Sequence, residues 1–89
     1  MKLYRDKQGF KLYPVCNWEA NQHKIYNAHD RAMNYCYDTD WSDKAVQELE
    51  RVDKAMNAID QYVINGMVYA RYNDYRLLKD IIAAYDARN

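Results

Sequence analysis

An 89-residue chain that is 49% apolar and 29% charged has the material for one small core, and is read as a single domain over residues 1–89. Thirteen basic residues balance thirteen acidic ones, so no global field draws the chain toward nucleic acid or anionic lipid. Its apolar runs fall far short of the roughly 20 residues of a membrane helix, and Met1–Asp6 lacks the apolar core of a signal peptide, so the expectation is a cytoplasmic protein with no membrane partner.

The charges are unevenly placed. Lys2, Arg5, Lys7 and Lys11 against Asp6 leave residues 1–16 at +3. Asp38, Asp40, Asp43, Glu48, Glu50, Asp53 and Asp60 against Lys44, Arg51 and Lys54 leave residues 38–60 at −4. Solubility or intramolecular complementarity accounts for such a split. Ten tyrosines stand against one phenylalanine. A tyrosine ring with a polar tip suits a thin core that reaches the surface, and equally a contact surface.

Lys2–Arg5 and Phe10–Tyr13 are short runs of strand formers around the turn sequence Asp6-Lys7-Gln8-Gly9. They read as a β-hairpin over 2–13, ended by Pro14, with Leu3, Phe10 and Leu12 facing inward. Asn17 is a good N-cap for a first helix over 18–37, where Trp18, Gln22, Ile25, His29, Ala32 and Cys36 share a face. Asp38-Thr39-Asp40 breaks that helix, and Ser42 caps the next. Ala45, Leu49, Val52, Met56, Ile59, Val63, Gly66 and Ala70 then follow one another at steps of four and three, which is one apolar face kept for about eight turns. The expectation is a long central helix over 42–72, with Leu49, Val52, Met56 and Ile59 as core and Gly66 facing a neighbouring helix. Asn65-Gly66 reads as a stop signal in isolation, with 67–72 then a third short strand. Asn73-Asp74 caps a last helix over 75–88 that carries Leu77, Leu78, Ile81, Ile82 and Tyr85.

Tyr62, Gly66, Tyr69, Asn73-Asp74-Tyr75, Leu78 and Ile82 fall near the large, small, aromatic, turn and packing positions of a tetratricopeptide repeat. This third of the chain resembles one helical pair of that family, which implies a helix–turn–helix geometry. Leu78 and Tyr85 stand where the repeat has alanine, and no second copy follows. The fold class expected is mainly α: an N-terminal β-hairpin followed by three antiparallel helices with a long central one, or else α+β with the third strand at 67–72.

Motifs for chemistry are sparse. Cys16, His23, His29 and Cys36 do not make a metal set, because a helix over 18–37 holds the two cysteines about 30 Å apart. His29 reads as a boundary histidine, and there is no nucleophile elbow, phosphate-binding glycine loop or His-Glu-x-x-His. No cofactor, no metal and no enzymatic activity are therefore expected. Arg71, Tyr72, Arg76 and Lys79 gather around the Asn73-Asp74 turn, where guanidinium and aromatic groups suit a phosphate, a stacked base or an acidic protein surface. The competing reading is an ordinary solvated helix end. Leu77 and Ile81 point about a third of a turn from Leu78, Ile82 and Tyr85, and are the expected surface of a homodimer; the competing reading is that the hairpin folds over them and completes a monomeric core.

These features suggest a small protein-interaction module. A very small, Tyr-rich chain without a catalytic motif is also what a regulator or inhibitor of phage or mobile-element type looks like. The alternative is a nucleic-acid or nucleotide binder using Arg71, Tyr72, Arg76 and Lys79.

Overall fold

A computed structural model describes residues 4–61 and 63–88 and gives a mainly helical chain with a small antiparallel sheet. In chain order the elements are β1 (Tyr13–Asn17), α1 (Trp18–Asp38), α2 (Asp43–Gln61), β2 (Val63–Ile64), β3 (Met67–Ala70) and α3 (Tyr72–Arg88). The sheet order is β1-β3-β2.

Short polar side chains set the ends of the first two helices. Asn17 has extended backbone angles, and its Oδ1 accepts the Ala20 amide at 2.9 Å. At the other end of α1 the Thr39 hydroxyl donates to the Tyr35 carbonyl at 2.7 Å. Asp40 and Trp41 follow with φ of 53° and 60°, consecutive left-handed residues that reverse the chain. Ser42 Oγ then accepts the Ala45 amide at 3.3 Å and opens α2.

The expected long helix over 42–72 is not what the chain adopts. α2 ends at Gln61, and Asn65 and Gly66 take φ of 52° and 80° in a tight turn between β2 and β3. Two successive left-handed residues give a turn whose twist matches that of a hairpin, and Asn-Gly supplies them at least cost. A helix interior would instead set Gly66 about 1 kcal/mol below alanine. Val63, Ile64 and Val68 add β-branched preference. Val63 pairs with Val68 and Ile64 with Met67. Along β3 burial follows a period of two, with Val68 at 0% and Ala70 at 2% exposure. The short third strand is thus the arrangement found, over 67–70. Gly66 does not face a helix: no atom lies within 4 Å of where its Cβ would be. The likeness to a tetratricopeptide pair falls with the long helix, since Gly66 and Tyr69 belong to the hairpin; Tyr62 lies outside the described residues.

The turn also serves α1. The Gly66 carbonyl accepts the amide of Trp18, the first helical residue, at 2.8 Å. That satisfies one of the helix's orphan N–H groups from the far side of the sequence.

Two further boundaries move. α3 begins at Tyr72, with the Tyr75 amide donating to the Arg71 carbonyl at 2.7 Å, so Asn73 and Asp74 lie in its first turn and do not precede it. Pro14 does not end the β structure but sits inside β1, opposite Tyr69. β1 is an edge strand, and its register slips between Pro14 and Cys16, which accommodates a residue with no N–H to give. Before it, residues 5–11 make a tight loop closed by an Arg5–Lys11 bridge, with the Leu12 amide donating to the Tyr4 carbonyl at 2.9 Å. Leu12 is buried as expected, whereas Phe10 is 54% exposed, its ring covered on one side by the Arg71 guanidinium. Leu3 lies outside the described residues.

The core forms where the two long helices, the sheet and α3 meet. Ile25 and Ala32 come from α1, Val52, Ala55 and Ile59 from α2, Val15, Val68 and Ala70 from the sheet, and Leu78 and Ile81 from α3. Leu49 and Met56 of the apolar stripe pack against this cluster while half-buried. Burying each larger aliphatic contributes about 1.5–3 kcal/mol. Ile81 is 3% exposed and Leu77 packs on the same cluster, so the pair expected to form a dimer surface lies in and against the chain's own core. The hairpin and α1 both reach α3 and cover it.

Candidate functional site

Most of the tyrosines form a shell around this core. None of the described ones is fully buried; Tyr26, Tyr37 and Tyr72 are broadly exposed, and the rest lie half-buried. Three of them gather at one corner, and the topology explains why. Tyr13 opens β1 and pairs with Ala70, the last residue of β3. α3 starts two residues later, so Tyr72 and Tyr75 rise beside Tyr13. The Tyr13 ring meets Tyr72 edge-on at 5.6 Å and Tyr75 at 5.7 Å, and Tyr72 and Tyr75 stack at 6.3 Å.

Each ring carries a cation. Lys11 Nζ stands 5.0 Å from the Tyr13 centroid, the Arg76 guanidinium carbon 5.9 Å from Tyr72, and Lys79 Nζ 5.8 Å from Tyr75. All three are within the roughly 6 Å at which a ring face attracts a cation. Helical spacing sets two of the contacts: Tyr72 to Arg76 and Tyr75 to Lys79 are both i, i+4. Lys11 and Tyr13 are two apart in an extended segment and so share a side. Stacking restrains long side chains that otherwise lose rotamer freedom on binding, while their N–H groups still point to solvent. Two acids of α3 lie beside this row in sequence, Asp74 in the first turn and Asp80 after Lys79.

Arg71 has a different task from Tyr72, Arg76 and Lys79. Its Nε donates to Asp6, its Nη2 to Gln8 Oε1 at 3.0 Å, and its guanidinium lies 4.3 Å from the Phe10 centroid. It clamps the N-terminal loop onto the start of α3. The Asp6 carboxylate also accepts the Gln8 and Phe10 amides, both at 2.9 Å. Burial pushes the Asp6 pKa up, but the amide bonds and the Arg71 guanidinium outweigh it, and the net result lies below the usual 3.8. The four expected binding residues therefore divide into three on the aromatic patch and one structural clamp. Lys11, Tyr13 and Tyr75 complete the patch. The membership of Lys11 and Tyr13 depends on the β1–β3 pairing, which no local spacing announces.

The histidines and cysteines do not converge. His29 Nε2 is 3.3 Å from Asp53 and joins α1 to α2 at the edge of the core. Cys36 is buried and Cys16 half-buried, both as free thiols. Burial raises the Cys16 pKa, and Lys79 and Lys24 offset this only in part, which leaves a poor nucleophile. Among the described residues no three His, Cys, Asp or Glu side chains are grouped to hold a metal ion, and no helix is long and apolar enough to cross a membrane. No protein-family model matches the chain, and neither a curated protein nor a solved structure matches it significantly.

Proposed function

We propose that this chain is a small non-enzymatic protein-interaction module, and that the Tyr13–Tyr72–Tyr75 corner is its contact face. The observation that carries this reading is that every ring of the corner holds its own cation, on Lys11, Arg76 and Lys79. Exposed tyrosine with pre-placed cations is the chemistry of a hot spot for an acidic segment of a partner protein. A single-stranded nucleic acid uses the same groups differently. It needs open ring faces on which successive bases stack. Here only Tyr72 is more than half exposed, at 52%; Tyr13 is tilted against its two neighbours at 63° and 39°, and Tyr72 and Tyr75 already stack on each other at 25°. The neutral overall charge also supplies no long-range attraction for a polyanion.

The test is paired capture with the wild-type chain and the Tyr72→Ser/Arg76→Gln double variant, alongside a labelled oligothymidine titration at low and high salt. Tyr72 and Arg76 are exposed, so circular dichroism should be unchanged. A protein retained by the wild type should be lost with the variant, at about 10- to 30-fold weaker affinity or more. Equal retention by both chains removes this face from the reading. Oligonucleotide binding that falls steeply with salt, and is lost in the same variant, replaces it with the nucleic-acid alternative.

A further inference from the structure

Residues of all three helices line a groove of about 480 Å³. It exists because the residues that meet there are small. Ala28 and Ala32 of α1 and Ala84 of α3 are too short to fill the space between helices, so the floor stays open above Ile81. Its size is that of a small-molecule site, commonly about 300–1,000 Å³.

The rim is cationic. Arg31 comes from α1, Lys44 and Arg51 from α2, and Arg88 from the last turn of α3, against the single acid Glu48. The chain as a whole is neutral, yet this groove holds a balance of +3. Arg51 is paired with Glu48 at 3.0 Å, while Arg31 lies over the Tyr85 ring at 5.8 Å. Among the described residues Lys44 and Arg88 have no ion-pair partner. Like charges drawn together around a low-polarity floor repel one another until an anion enters. Three of the four are guanidinium groups, whose planar fork fits phosphate oxygens two at a time. Tyr35 lines the same groove and offers a half-buried ring beside the alanine floor.

We infer that this groove binds a small organic phosphate with an aromatic body, of the size of a nucleoside diphosphate. The phosphates lie among Arg31, Arg51 and Arg88, and the ring lies over the alanines against Tyr35. This is a second site, separate from the tyrosine corner, and it does not depend on the reading given to that corner.

The experiment is a ¹⁵N chemical-shift titration of the full chain with ADP, and separately with adenosine and with inorganic pyrophosphate. ADP should shift the amides of residues 28–35 and 84–88, with a Kd below about 1 mM. Pyrophosphate should bind the same residues more weakly, and adenosine more weakly still. Two variants test charge and shape separately. Arg31→Gln/Arg51→Gln removes rim charge, and Ala84→Phe fills the groove from an exposed helix position while keeping every cation. Each should lower ADP affinity about tenfold or more, with helicity retained by circular dichroism, whereas Arg76→Gln should leave it unchanged. Absence of shifts in these residues at about 5 mM ADP overturns the proposal. Wild-type ADP affinity in either groove variant overturns it too, as does a response centred on residues 72–79. Pyrophosphate binding as tightly as ADP overturns the aromatic body, and adenosine binding as tightly as ADP overturns the phosphate.

Discussion

Replacing Gly66 by alanine should destabilise the chain, although alanine is the better residue in any helix. Gly66 sits at φ 80°, and no atom lies within 4 Å of an added Cβ, so no clash contributes. What remains is the backbone. An L-residue held in the left-handed region costs about 1–2 kcal/mol. Loss of the glycine's extra freedom in the unfolded chain returns about 0.4–1 kcal/mol of this. The net is a loss of about 1 kcal/mol, or a fall of about 4–8 °C in Tm for a domain of this size. Urea unfolding followed by circular dichroism measures it as a drop in midpoint at constant slope. A chain of 89 residues is within reach of chemical synthesis, and D-alanine at 66 provides the mirror control. D-alanine favours positive φ, so it should match or exceed the wild type. The opposite pattern, with L-alanine stabilising by up to about 1 kcal/mol and D-alanine disruptive, is what a helical Gly66 would give. That result would refute the hairpin and with it the Gly66 carbonyl bond to the start of α1.

Two further outcomes follow from burial. Ile81→Glu should unfold the monomer outright, because a carboxylate would replace a side chain that is 3% exposed in the core; a variant that keeps full helicity and merely changes sedimentation would return Ile81 to a dimer surface. Asp6 should govern an acid transition of the N-terminal loop. Its folded pKa lies below the usual 3.8, so its contribution is complete above that value and is lost as pH falls through the lower one. The Gln8 and Phe10 amide resonances should move together below the usual 3.8 in the wild type and not in Asp6→Asn; a wild-type transition centred at or above 3.8 would mean that these bonds do not hold the carboxylate.

The helical half of the fold was legible because its signals are local. Asn17 and Ser42 cap the helices they were expected to cap, and the stripe through Val52 and Ile59 faces the core. The error over 63–72 came from two periodicities that coincide. Ala70 satisfies the next step of the helical stripe, and it also satisfies the alternation of a strand with Val68 buried and Tyr69 half-buried. The strand reading also matched the Asn65-Gly66 signal, and turn chemistry outweighed an apolar register that only small residues, Gly66 and Ala70, were extending. Pro14 misled for a related reason: it excludes a central strand, but β1 lies at the sheet edge, which is known only once β3 exists.

The site residues divide along the same line. Tyr72, Arg76 and Lys79 lie at helical spacing within one stretch, so a local reading finds them. Lys11 and Tyr13 join them only through a strand pairing across more than fifty residues of sequence. Arg71, next to Tyr72 in sequence, leaves the group because a buried carboxylate sixty-five positions away claims it. The groove cations Arg31, Lys44, Arg51 and Arg88 are spread over all three helices, where each reads alone as ordinary surface charge. What distinguishes them is the alanines between them. Ala28, Ala32 and Ala84 look like helix formers in a linear reading, yet in the fold their missing side-chain volume creates the groove. Helices that met there through leucines would close over the same four cations and leave them as separate surface charges. The capacity to hold a ligand at this place therefore rests on the residues that carry no chemistry of their own.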